Sequence, residues 1–128
     1  MPTVKLVIEY DGTGYAGWQR QPHHPTVQAT IEHAIQQVSH ATVAIIGAGR
    51  TDSGVHALGQ VASFRTTSPW PAVRWMRSLN AVLPNDIAVR AASIMDDHFH
   101  AQHDARPATR VKKRRAARKE SGVKMKPK

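Results

Sequence analysis

The chain opens on an alternation. Val4, Leu6, Ile8 and Tyr10 are apolar, and Lys5 and Glu9 stand between them. A period of two places one set of side chains on one face of an extended segment, so the pattern predicts a half-buried strand. From residue 11 to 25 the alternation gives way to Gly, Pro and His, a loop composition. Then the period lengthens. Val27, Ile31, Ala34, Ile35 and Val38 recur at helical spacing, and Thr26 before them can cap the first turn. Thr42 to Ile46 and Gly59 to Thr66 read as the second and third strands. Pro71 suits the first turn of a second helix, whose apolar face would hold Val73, Met76, Leu79 and Leu83 beside Asn80. Leu83-Pro84-Asn85 ends that helix, and Ile87, Val89 and the residues to Ile94 give a fourth strand. The predicted order is β-α-β-β-α-β, the ferredoxin-like arrangement of an α+β fold.

Composition narrows the class. The 128 residues suit one domain with a modest core. There is no cysteine, which excludes a disulfide framework and any thiolate metal site. No apolar run approaches a membrane span, and the first residues lack a signal-peptide core, so a cytoplasmic protein is expected. The formal charge of +9 changes the picture only through its location. Residues 107–128 hold ten of the 18 Lys and Arg and one of the nine acids, so residues 1–106 are balanced. A folded unit over 1–106 and a solvated, largely disordered basic tail over 107–128 are expected. Such a tail attracts RNA nonspecifically.

Candidate chemistry lies in Gly47-Ala-Gly-Arg-Thr-Asp-Ser-Gly-Val-His-Ala-Leu-Gly-Gln-Val61, a glycine-rich loop between two strand-like runs. Rigid elements joined by such a loop present a charged side chain at a surface. Asp52 brings a carboxylate able to act as nucleophile or base, or simply to shape a turn before Ser-Gly. Arg50 is a permanent cation two residues away. The earlier loop carries Tyr15, Trp18, Gln19 and Arg20, and such a mix can stack on bases and hold phosphate. Trp18 could equally pin that loop to the core. Gly47-Ala-Gly49 is no dinucleotide fingerprint, because the third glycine of that pattern falls on Asp52. His98, His100 and His103 read as solvated rather than as zinc ligands, and His56 as a residue that orders the backbone.

Four stretches in order carry a resemblance: Tyr10-Asp-Gly-Thr-Gly-Tyr-Ala-Gly-Trp-Gln-Arg-Gln21, Arg50-Thr-Asp-Ser-Gly-Val-His56, Leu79-Asn-Ala-Val-Leu-Pro-Asn-Asp-Ile-Ala-Val-Arg90 and Phe99-His-Ala101. Together they resemble the first half of the TruA-type tRNA pseudouridine synthases. The resemblance implies isomerisation of uridine to pseudouridine in the anticodon stem-loop of tRNA. The bond from uracil N1 to the ribose is cut, the base turns, and C5 joins the same carbon. No electrons are lost, so no cofactor and no metal is implied. The resemblance makes Asp52 the catalytic carboxylate, attacking C1′ or removing a ribose proton, with both routes open. It gives Arg50 the task of holding the extruded uridine, and places Thr51, Tyr15, Trp18, Gln19, Arg20 and His56 among the RNA-facing positions. It implies tRNA as partner and leaves a homodimer open.

The resemblance fades after Ala101. Family members run on into a Tyr-Arg-Tyr strand, whose first tyrosine stacks on the target uracil, and then into a second unit. Here the only tyrosines are Tyr10 and Tyr15. An N-terminal, aspartate-bearing portion of such an enzyme is therefore expected. The alternatives are a noncatalytic RNA-binding module of ferredoxin-like fold, or an inactive gene fragment. The third strand offers only Phe64 as an aromatic, which weighs against the RNA-binding module.

Overall fold

A computed structural model describes residues 1–49, 52, 54–96 and 110–111. The elements run β1 (Thr3–Tyr10), α1 (Val27–Ser39), β2 (Ile46–Gly47), β3 (His56–Arg65), α2 (Ala72–Val82), β4 (Ile87–Met95) and β5 (Arg110–Val111). One sheet has the order β2-β3-β1-β4, and β5 pairs β3 beside that path. β1 is antiparallel to both neighbours, with Val4 opposite Phe64 and Ile94, and Leu6 opposite Ala62 and Ala92. This is the ferredoxin-like α+β architecture that the periodicity predicts.

The alternation in β1 is realised completely. Val4, Leu6, Ile8 and Tyr10 are fully buried, while Lys5, Val7 and Glu9 keep partial access to solvent. Val27, Ile31, Ala34 and Ile35 of α1 join them in the core. Thr26 caps that helix, its hydroxyl oxygen accepting from the Ala29 amide at 3.2 Å. The two amides before it find carbonyls in the preceding loop, Val27 N–H on Gly17 at 3.1 Å and Gln28 N–H on Trp18 at 3.0 Å. Three otherwise orphaned donors are thus satisfied, and the loop is fixed to the helix by the same bonds.

Four expectations need correcting. Of the predicted second strand, Thr42 to Ile46, only Ile46 is in the ladder, joined by Gly47 beyond it, because the backbone of Ile45 bonds to side chains of α1 instead. β3 starts at His56, three residues ahead of the predicted Gly59, because an irregularity in its pairing with β1 lets Ala57 sit opposite Tyr10. The buried face of α2 is Trp75 and Leu79, followed by Leu83, a clean four-residue spacing. Val73 lies on the other side of that helix, 48% exposed. Trp75 packs edge-on against Phe64 at 5.1 Å and against Trp70 at 4.6 Å. Pro71 sits at the cap position rather than in the first turn.

Arg110–Val111 fall in the segment expected to stay apart from the sheet, yet they pair with Ala57 and His56. To that extent the tail departs from the expectation. Phe99, Ala101 and the three clustered histidines lie outside the described residues. Among the described residues no helix is long and apolar enough to cross a membrane.

Candidate functional site

The loop that bears Asp52 leaves β2 under close control. The Ala48 amide donates to the Val61 carbonyl at 2.8 Å, and the buried Gln60 side chain donates to the Gly49 carbonyl. Beneath them lies Trp18, 2% exposed and 6.2 Å from the Tyr10 ring. A Cβ at Gly47 would come within 2.7 Å of the Trp18 indole nitrogen. Glycine there is a packing requirement, since the backbone rests directly on the ring. Asp52 itself is exposed. Its carbonyl accepts from the Val55 amide at 3.1 Å, and Gly54 turns the chain with φ 77°. That left-handed conformation favours glycine. Arg50, Thr51 and Ser53 lie outside the described residues.

On the far side the loop abuts the turn that follows β1. The Gly54 amide reaches the Tyr15 carbonyl at 3.3 Å. Gly12 approaches so closely that a Cβ there would fall 2.0 Å from the Val55 carbonyl oxygen. The Gly12 amide donates to His56 Nδ1 at 2.8 Å. His56 Nδ1 also lies 3.0 Å from Asp11 Oδ1, a distance that would suit an ion pair. One nitrogen cannot accept from Gly12 and donate to Asp11 together. The directed amide bond assigns Nδ1 as the acceptor and puts the proton on Nε2, which is buried with no partner among the described residues. Asp11 is engaged elsewhere as well, accepting from the Thr13 amide at 3.0 Å and the Thr13 hydroxyl at 2.6 Å. His56, 2% exposed, thus joins the Tyr10-Asp11-Gly12 turn to the aspartate loop.

The remaining sequence candidates divide by exposure. Gln19 and Arg20 face solvent. Tyr15 is largely buried, and its hydroxyl donates to Asp86 Oδ1 at 2.7 Å. Burial first, and then the Asp86 carboxylate, hold its phenol well above the usual tyrosine range. Tyr15, Trp18 and His56 therefore build the wall behind the loop, while Asp52, Gln19 and Arg20 are at the surface. Sequence reasoning passed over Gly12, Glu32 and Gln60. An acid beside Ile31 in the apolar stripe of α1, and a glutamine inside an apolar strand, were the available signals for the last two. The clash at Gly12 needs coordinates to see.

The fold and its loops thus give a ferredoxin-like α+β unit with an exposed aspartate on a glycine-rich loop between β2 and β3, and comparison with known proteins places this unit among the tRNA pseudouridine synthases. The chain belongs to that family, whose sequence profile matches residues 6–104. Similar proteins include the tRNA pseudouridine synthase A of Acetivibrio thermocellus, 52% identical over 106 residues, which are 83% of this chain and 43% of that protein. That of Maridesulfovibrio salexigens is 48% identical over 105 residues, 82% of this chain and 39% of the relative. That of Chlorobaculum tepidum is 52% identical over 104 residues, 80% of this chain and 42% of the relative. The chain spans about two fifths of the length of these curated relatives.

Proposed function

We propose that this chain is the aspartate-bearing portion of a cytoplasmic enzyme that isomerises uridine to pseudouridine in the anticodon stem-loop of tRNA. Residues 1–106 form its folded unit, with Arg110–Val111 paired to β3, and the basic residues of 107–128 add electrostatic attraction for RNA. The observation that supports the reading most is the exposed Asp52, held on a loop braced from both sides by buried glycine contacts. In this reading Asp52 attacks C1′ of the extruded nucleoside or takes a ribose proton. The N1–C1′ bond breaks, the C5–C1′ bond forms as the Asp52–C1′ bond is released or the ribose proton is returned, and the C5 proton leaves to solvent as N1 gains one. Arg50, two residues before it in sequence, holds the flipped state, whose extrusion costs a few kcal/mol. Thr51 and the exposed Gln19 and Arg20 contact the RNA.

The test is tritium release from tRNA labelled at uridine C5, with Asp52→Ala as the blank. The chain by itself is expected to release little, because a flipped base needs a wall opposite Asp52 and a misplacement of about 1 Å can cost on the order of a hundredfold. Binding is expected to be less demanding. Filter binding across a salt series should show Asp52→Ala retaining affinity, and deletion of 107–128 lowering both affinity and salt slope. Unchanged affinity and slope after that deletion would remove the tail from the reading.

A further inference from the structure

Ile45 is buried just before β2, but among the described residues its backbone has no strand beside it. Two side chains of α1, one helical turn apart, take the strand's place. The Ile45 amide donates to Glu32 Oε2 at 2.9 Å, and its carbonyl accepts from Gln28 Nε2 at 3.3 Å. Gln28 Nε2 also bonds Glu32 Oε2 at 3.2 Å. The other carboxylate oxygen, Oε1, accepts from Arg20 through Nε at 3.0 Å and through Nη2. Arg20 is in turn tied back, its amide donating to Gln28 Oε1 at 2.8 Å. Glu32 is 5% exposed and Arg20 58% exposed. Four donors thus converge on one buried carboxylate, about the number its lone pairs can take.

The position of this cluster matters more than its strength. Ile45 opens the run that passes through Ile46–Gly47, Ala48 and Gly49 to Asp52. A strand of two residues is a weak anchor for such a loop, and the cluster supplies the missing one. We infer that Glu32 is a positioning residue: with Gln28 it holds Ile45 in place and so sets where the aspartate loop begins, and it ties the exposed Arg20 to the same point. Its functional meaning rests on the reading of Asp52 as the catalytic carboxylate. Asp52 would touch the reacting nucleoside, whereas Glu32 acts only through the backbone.

Amide hydrogen exchange of the full chain, followed by NMR, tests this without any turnover. Failure of the catalytic reading would show in the tritium assay and not here. In Glu32→Gln an amide N–H₂ replaces one acceptor, so either Arg20 or Ile45 meets a donor. The Ile45, Ala48 and Val55 amides should then exchange roughly tenfold faster, the effect of one lost hydrogen bond. Amides of β1 and β4 should keep their protection within about twofold. Glu32→Asp keeps the charge and loses one methylene. It should fall between wild type and Glu32→Gln, and it carries the test if Glu32→Gln does not fold. Unchanged exchange at Ile45, Ala48 and Val55 would overturn the inference. So would equal loss of protection in β1 and β4, which would make Glu32 a general stabiliser of the fold.

Discussion

Gly12 and Gly14 are two residues apart in the same turn, yet alanine should be costly at the first and nearly neutral at the second. At Gly12 the added Cβ would meet three backbone atoms of Val55, the carbonyl oxygen at 2.0 Å, the carbonyl carbon at 2.7 Å and the nitrogen at 3.0 Å. Ordinary carbon contacts lie near 3.5 Å, so the two backbones must part by about 1.5 Å, and no rotamer can relieve a clash between main chains. Overpacking of this kind costs about 1–3 kcal/mol. Parting the backbones also breaks the 2.8 Å bond from Gly12 to the buried His56, worth about 1 kcal/mol more. The expected loss is about 2–4 kcal/mol, a large share of the 5–15 kcal/mol that holds a typical domain together. At Gly14 no atom lies within 4 Å of the new Cβ, and φ there is not positive. Gly14→Ala should therefore stay within about 0.5 kcal/mol of wild type. Urea unfolding followed by circular dichroism at 222 nm reads both. A Gly12→Ala midpoint equal to wild type, or a Gly14→Ala loss as large as that of Gly12→Ala, would refute the claim that this turn is wedged against the aspartate loop.

Trp75 is fully buried against Phe64 and Trp70, so Trp75→Ala should cost about 3–5 kcal/mol in the same urea experiment. Tyr15 gives a pH dependence of known sign. Its folded phenol holds its proton above the ordinary tyrosine value of 10.0, so the folded state binds a proton that the unfolded state releases. Its contribution is complete below about pH 10 and is lost as pH rises beyond it, and Tyr15→Phe should flatten the alkaline fall of the urea midpoint between about pH 9 and 11. Glu9 has the same sign at acid pH. Burial raises its carboxyl against the pull of Arg90, so Glu9→Gln should remove a fall in stability that begins as pH rises past about 4.5.

Much of the fold could be read from periodicity alone, and the failures have local causes. β1 and α1 are read correctly because each follows a single period and ends on a clear signal, Thr26 in the case of α1. β2 was overextended because Val43, Ala44 and Ile45 look like strand residues, whereas the partner of Ile45 is a pair of side chains on α1. No one-dimensional pattern reports that substitution. On α2 the predicted Met76, Leu79 and Leu83 do pack on the core, but Val73 faces away and the pattern passes over Trp75, whose place in the stripe shows only in its contact with Phe64. The exposed loop position of Asp52 before β3 is legible from the glycines around it. The packing of Trp18 under the loop and the backbone-ordering role of His56 are among the readings the sequence offers, whereas the burial of Tyr15 is not, because burial of a loop aromatic depends on what folds over it. The contacts of Gly12 with Val55 and His56 join residues more than forty positions apart, beyond the reach of any spacing rule.

The central claim is that Asp52 supplies the carboxylate for pseudouridine formation and that residues 1–106 are a competent half of such an enzyme. The most direct measurement joins residues 1–106 to the remaining part of a full-length relative and follows tritium release from tRNA labelled at uridine C5. The chimera is expected to turn over, and Asp52→Ala within it should abolish release while tRNA binding and the circular dichroism spectrum persist. Release by the Asp52→Ala chimera at the rate of its parent would contradict the account.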